Sequence, residues 1–156
     1  MTELANGPGQ ICRSRWPSRC CGRTVIVVDA SVLTPALTDD GADGDLARAH
    51  LRGQVLAAPG LIDLEVSSVL RRPVLSERLP LPRAQQALAD LIALPLQRAP
   101  QLPLLARCWS LRDNLSVYDG SYVALAESLD CVLLTADTRL SRAPGLRCVV
   151  EVVQRP

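Results

Sequence analysis

Four acidic residues stand where a carboxylate is chemically informative. Asp29 directly follows a Val/Ile run in V-V-D-A-S, and Asp137 follows a second apolar run in L-L-T-A-D-T-R. Glu65, in I-D-L-E-V-S-S-V-L-R-R, and Asp119, in S-V-Y-D-G-S-Y-V-A-L-A-E, each open a helical pattern after a loop. An isolated acid in such a place has an ordinary explanation, because Asp is a favoured N-cap and a carboxylate in the first turn gains roughly 0.3 to 1 kcal/mol from the helix dipole. The apolar neighbours of Glu65 (Val66, Val69, Leu70) predict instead a helix start that faces a core. Brought together, the four carboxylates would repel, by about 4 kcal/mol for one pair 4 Å apart at an effective dielectric of 20. Such a cluster needs a cation. With no histidine or thiolate near these motifs, all-oxygen ligation favours Mg²⁺ or Mn²⁺ over zinc or copper. An ion of that kind lowers the pKa of a bound water and stabilises a phosphate under attack.

Other chemistries lack their parts. The single histidine, His50, has no Gly-rich nucleophile turn to serve and reads as a helix-surface residue. Cys12, Cys20, Cys21, Cys108, Cys131 and Cys148 contain no C-x-x-C pair, so zinc spacing is absent. Cys108, Cys131 and Cys148 lie in helical or strand-like apolar patterns and read as buried small hydrophobes in a reducing compartment, which predicts a cytoplasmic protein.

The elements that must position the acids alternate. Short β-branched or apolar runs at 25–28, 55–57, 96–98, 131–135 and 148–153 predict five buried strands, and helical spacing appears at 45–52, 64–72, 83–94, 102–112 and 119–129. That order predicts an α/β fold with right-handed βαβ units and a parallel sheet covered on both faces. Open parallel sheets place their ligands beyond the carboxyl ends of the strands, where Asp29 and Asp137 fall. At 156 residues, 48% hydrophobic and 21% charged, the chain suits one globular domain and is too apolar for disorder, while its apolar runs are far shorter than the roughly 20 residues of a spanning helix. Charge is uneven: Arg13, Arg15, Arg19 and Arg23 against Glu3 give residues 1–23 a formal +3, leaving −2 for the rest.

The motifs V-V-D-A-S at 27–31, L-E-V-S-S-V-L-R-R at 64–72, Y-D-G-S-Y-V-A-L-A-E at 118–127 and L-L-T-A-D-T-R-L at 133–140 together resemble the PIN-domain ribonucleases, and within them most closely the VapC-type toxins of bacterial toxin-antitoxin pairs. The resemblance runs from about residue 25 to 153. It implies a three-layer α/β/α sandwich with a mostly parallel five-stranded sheet, hydrolysis of RNA dependent on Mg²⁺ or Mn²⁺, a cognate antitoxin as partner and self-association as a homodimer. It carries the acidic cluster onto Asp29, Glu65, Asp119 and Asp137, with Asp29, Asp119 and Asp137 holding the metal directly or through waters and Glu65 orienting or deprotonating the attacking water.

Some residues depart from that pattern or compete with it. Gly120 stands where alanine is more usual in the family, which weakens a helix start but leaves Asp119 intact. Asp63 is a rival to Glu65, which is preferred because it heads E-V-x-x-V-L-R-R. Asp113 and Asp130 read as a solvated helix end and a loop acid. Ser31 and Thr135 are either supporting hydroxyls beside the acids or turn and N-cap residues. Arg71, Arg72, Arg139 and Arg142 are the candidate substrate-binding cations, and Trp16, Trp109, Tyr118 and Tyr122 are the rings available for stacking. A receiver-like signalling domain also gathers acids around Mg²⁺ but needs a lysine, and this chain has none. A non-catalytic α/β module, a decayed nuclease that binds RNA or a protein without cutting, is the remaining alternative.

Residues 1–23 precede the first matching motif and read as a disordered or mis-assigned extension to a nuclease domain at 24–156, with no secretory pattern. Deleting them is expected to preserve cooperative unfolding and to leave RNA cleavage within a few fold of the full chain. Loss of the cooperative transition in a thermal melt would show that the segment packs on the core.

Overall fold

The computed structural model describes residues 24–154, so the expectation for residues 1–23 and the stacking role of Trp16 fall outside it. Its strands are β1 (Val25–Val28), β2 (Val55–Pro59), β3 (Gln97–Ala99), β4 (Val132–Thr135) and β5 (Val150–Val152). They form one sheet in the order β3-β2-β1-β4-β5. Every neighbouring pair is parallel, with Val27 opposite Ala57 on one side and Leu133 on the other. The sheet is therefore wholly parallel rather than mostly so. β1 and β4 read as uninterrupted apolar runs because both of their faces are covered: Val27, Val28 and Leu133 are fully buried.

Seven α-helices surround the sheet among the described residues: α1 (Ala30–Thr38), α2 (Ala42–Leu51), α3 (Ile62–Leu75), α4 (Leu81–Ala93), α5 (Leu105–Ser110), α6 (Val117–Leu129) and α7 (Thr138–Ser141). Helices α1 to α4 pack on one another, whereas α6 packs on α5 and crosses β1, β2 and β4. The chain runs outward from β1 through β2 to β3, then returns to place β4 on the far side of β1. Right-handed crossovers in opposite directions put their helices on opposite faces, which is how one chain builds three layers.

Five of these helices follow the sequence pattern, with shifted ends. Helix α3 continues through Pro73 to Leu75, beyond the expected stop at 72. The ring costs the hydrogen bond to the Val69 carbonyl, but Val69 is half exposed, so water can take that place. Helix α4 starts at Leu81 because Pro80 and Pro82 sit at its cap and second position, where no amide donor is needed. The single helix expected at 102–112 is a 3₁₀ turn, Leu102–Leu104, followed by α5. Helices α1 and α7 were not anticipated: Pro35 and the β-branched residues of the first obscure its period, and the second is only four residues long. Of the three cysteines read as buried, Cys108 is, while Cys131 and Cys148 are half-buried; all three are free thiols.

A Cβ at Gly120 would stand 3.4 Å from the Cys108 Cα, ordinary van der Waals contact, so the packing of α5 on α6 would admit an alanine there. No helix among the described residues is long and apolar enough to cross a membrane.

Candidate active site

In a parallel sheet the helices run back against the strands, so the amino ends of α1, α3, α6 and α7 all lie beyond the carboxyl ends of the strands. Each of the four candidate acids occupies one of those helix starts. Asp29 and Asp137 are the N-caps of α1 and α7, and Glu65 and Asp119 sit in the first turns of α3 and α6. The capping explanation and the clustering explanation therefore hold together. One detail differs from expectation: Ser116, not Asp119, caps α6, its hydroxyl accepting from the Asp119 amide at 3.1 Å and donating to Asp119 Oδ2 at 2.8 Å.

Asp29 is the most enclosed, at 9% exposure. Its Oδ1 accepts from the Ser31 amide at 2.7 Å and from the Ser31 hydroxyl, and its Oδ2 accepts from the Thr135 hydroxyl. Both hydroxyls are themselves held by the loop after β4, since the Ala136 amide donates to Ser31 Oγ at 2.8 Å and the Asp137 amide donates to Thr135 Oγ1 at 3.0 Å. Burial pushes the Asp29 carboxyl above its usual range, with the hydrogen bonds from Ser31 and Thr135 pulling the other way. Ser31 and Thr135 are thus supports of Asp29, and Asp29 joins the turn after β1 to the turn after β4. That junction is where the strand order reverses, the customary ligand position of an open parallel sheet.

Glu65 is half-buried, and its Oε2 accepts from the hydroxyl of Tyr122. Burial raises its carboxyl too, and the charges of Asp29 and Asp119 add to that rise. Glu65 is thus within electrostatic reach of both Asp29 and Asp119. Asp137 lies at the margin: Arg139 clasps it, with NH2 2.8 Å from Oδ2, and this hydrogen bond holds its carboxyl below the usual range. The neighbouring acid Asp63 does not compete for the site. It turns to β3, where Arg98 grips it through Nε at 2.7 Å and NH2 at 2.9 Å.

Cations are distributed unevenly. Among the described residues, ion pairs engage Asp63, Glu127 and Asp137 but none of Asp29, Glu65 and Asp119. Arg139 is exposed and lies near enough to Asp119 to feel its charge. Arg71 and Arg72 are exposed, with Arg72 about 10 Å along α3 from Glu65 by helix rise. Arg142 follows α7, also exposed, and none of these three pairs with a candidate acid. Of the rings, Trp109 and Tyr118 are exposed, but Tyr122 is 3% exposed and cannot stack on a base. Val69, expected to face the core, is half exposed, whereas Val66 and Leu70 are buried. His50 lies in the last turn of α2 with Nδ1 3.3 Å from Glu151. Asp113 is exposed beside Arg112 and Asp130 ends α6, far from forming part of the cluster's hydrogen-bonded set.

The donor set is entirely oxygen. No three His, Cys, Asp or Glu side chains among the described residues stand close enough to enclose an ion by themselves. Mg²⁺ asks for less than a closed cage, since it retains several waters and takes one or two protein carboxylates directly. The buried Asp29 and half-buried Glu65, neither of them ion-paired among the described residues, match that requirement.

A model of the PIN domain matches residues 26–146. The chain belongs to the PIN-domain family. Its relatives within the family are VapC ribonucleases: Ribonuclease VapC1 of Mycobacterium tuberculosis is 43% identical over 129 residues, covering 82% of this chain and 97% of that protein. VapC ribonuclease Mb0985 of Mycobacterium bovis is 44% identical over 131 residues, covering 84% of this chain and 100% of that protein. Among solved structures, PAE2754 from Pyrobaculum aerophilum superposes with a TM-score of 0.61 at 27% identity, covering 81% of this chain and 83% of the other. The sarcin-ricin-loop-cleaving toxin VapC20 of Mycobacterium tuberculosis superposes with a TM-score of 0.62 at 18% identity, covering 84% and 99%, a likeness of fold.

The raised Asp29 carboxyl has a consequence for this PIN domain's stability. The folded protein holds that proton more tightly than the unfolded chain, so the group favours folding at low pH. Its contribution fades as pH climbs from the usual 3.8 through the higher folded value. In EDTA at pH 7, Asp29→Asn is expected to raise the melting temperature, because the amide keeps an oxygen for the Ser31 amide and can donate to Thr135. The gain should shrink as pH approaches 4. Melts across that range check both points.

Proposed function

We propose that this PIN domain is an endoribonuclease dependent on Mg²⁺, with Mn²⁺ as substitute, and that it acts as the toxin of a toxin-antitoxin pair. What carries the reading is that the charges of Asp29 and Asp119 both bear on Glu65 beyond the strand ends, with Asp29 buried, Glu65 half-buried and, among the described residues, none of the three ion-paired, in a chain that matches VapC ribonucleases over nearly their whole length. Asp29, Asp119 and Asp137 would hold the ion, directly or through its waters. Bound there, it supplies charge neutralisation at the phosphate and a more acidic water. Glu65, with its raised carboxyl, orients the attacking water and takes its proton. Arg139 lies nearest the acids and is the first candidate to hold a phosphate, with Arg71, Arg72 and Arg142 as further positive charges on the approach. Trp109 and Tyr118 offer exposed rings to unpaired bases.

The partner reading rests on surface. Leu64, Val69 and Leu75 of α3 and Leu81 and Ile92 of α4 are exposed apolar residues, and they suit an antitoxin segment or a homodimer interface. Free thiols at Cys108, Cys131 and Cys148 suit the cytoplasm.

The test of catalysis is incubation of the purified protein with a panel of structured RNAs. Cleavage is expected with Mg²⁺ or Mn²⁺ and should stop on chelation, and Glu65→Gln is expected to slow it about 10² to 10⁴-fold. Wild type should gain about 1.4 kcal/mol of stability at ten times the Mg²⁺ dissociation constant, a gain largely lost in Asp29→Asn. Cutting that survives chelation would refute the metal mechanism, and RNA binding without cutting would establish the non-catalytic module. For the partner, co-expression with the product of the adjacent upstream gene is expected to yield a co-purifying complex with suppressed cleavage. A monomer indifferent to that product would refute the pairing.

A further inference from the structure

The four acids are anchored in different ways. Asp119 is held by Ser116 and Asp137 by Arg139, each within three residues in sequence, and Asp29 by Ser31 and Thr135. Glu65 has no local support. Among the described residues its carboxylate accepts a hydrogen bond only from the Tyr122 hydroxyl, 57 positions away on another helix.

Tyr122 is built for that contact. Its ring is 3% exposed, and a phenol so enclosed needs a partner for its hydroxyl. It lies three residues after Asp119 on α6, and residues at that spacing share a helix face. The same face of α6 thus carries one acid of the cluster and the donor that grips a second. Burial and the adjacent carboxylates push the phenol far above its usual range, so it remains a donor at any working pH. Oε2 receives the bond, which leaves Oε1 without a protein donor.

Resting on the reading of Glu65 given under the proposed function, we infer that Tyr122 is a positioning residue: its hydroxyl fixes the orientation of the Glu65 carboxylate and its separation from Asp119, and so directs Oε1 toward the attacking water. The aromatic ring fills the core, and the hydroxyl serves the site. A flexible glutamate next to two like charges would otherwise swing away from them.

Tyr122→Phe separates the two parts, because it retains the ring and deletes only the oxygen. On an RNA that the wild type cleaves, kcat should fall about 10 to 100-fold with KM unchanged within about twofold. In a Glu65→Gln background the same substitution should alter kcat less than about twofold, since the group it positions no longer acts as a base. Equal losses in both backgrounds would reduce Tyr122 to packing and overturn the inference. Crystal structures of wild type and Tyr122→Phe decide it without any assay: Glu65 should sit on Tyr122 in the first and leave that position in the second. A Glu65 that stays in place in the variant overturns the inference. So does a wild-type Glu65 turned away from Tyr122, which needs no folded variant to observe. A wild type that cuts no RNA would refute the proposed function instead, and the position of Glu65 would still settle the role of Tyr122.

Discussion

The buried carboxylate of Asp29 is the constraint on which the rest of the structure depends. A charge enclosed to this degree is costly unless its oxygens are met by donors, and three converge here from the Ser31 amide and the Ser31 and Thr135 hydroxyls. Because those hydroxyls also take the amides of Ala136 and Asp137, satisfying one carboxylate fixes two strand-to-helix turns. The Asp29 amide adds a bond of 3.2 Å to the Leu134 carbonyl on β4. The polar network and the backbone ladder therefore agree on the register of β1 against β4. A slip of one residue would break both.

The helix ends supply the second ingredient. Each of the four acids meets the positive end of a helix, worth roughly 0.3 to 1 kcal/mol apiece where the helix is long enough to have a dipole of consequence. That is less than the repulsion of about 4 kcal/mol expected of a close pair at an effective dielectric of 20. Capping explains why an acid is tolerated at each position. The raised carboxyls of Asp29 and Glu65 come first from burial, and only at Glu65 do the charges of the neighbouring acids add to it. Elsewhere the same chain neutralises its half-buried acids fully: Glu127 is clasped by Arg107 at 2.7 and 2.9 Å and its carboxyl is lowered, and Asp63 is matched by Arg98. The deficit of positive charge is local to the strand ends.

Much of this arrangement was legible in the sequence, for reasons that can be named. Strands buried on both faces read as continuous runs, so 25–28 and 131–135 announced buried strands, and the β–α alternation announced a parallel sheet. Helix α4 was visible by the period of Ala84, Leu88, Leu91 and Ile92, of which Ala84 and Leu91 are buried, Leu88 is partly so and Ile92 is exposed. What escaped was set by tertiary contact. Helix α1 carries Pro35 and a fully enclosed Val32–Leu33 pair, so it shows no amphipathic stripe. Spacing alone could not choose between Asp63 and Glu65, because the choice depends on Arg98 arriving from β3 and Tyr122 from α6, both distant in sequence. Tyr122 looked like a stacking ring for the same reason: a sequence reveals an aromatic side chain but not which end of it faces the core. The one available signal was its place three residues after Asp119, on the same side of the helix.

The acids are also driven apart electrically, which bears on how a single site can divide labour. Burial and like charge raise the Glu65 carboxyl, while Arg139 lowers that of Asp137. Environments that separate the pKa values of paired acids commonly mark a base and an electrostatic partner. Asp29 shares the raised state of Glu65 but differs in its contacts: both of its oxygens are committed to hydrogen bonds, whereas Glu65 has one oxygen free of protein donors. A cation near Asp29 would draw its carboxyl back toward the ionised form, since a bound ion is the largest charge in such a site. At Glu65 the hydrogen bond from the Tyr122 phenol also lowers the carboxyl, but burial outweighs it. A hydroxyl-locked aspartate, an arginine-locked aspartate and a tyrosine-held glutamate thus set chemically alike side chains in three different environments on one sheet end.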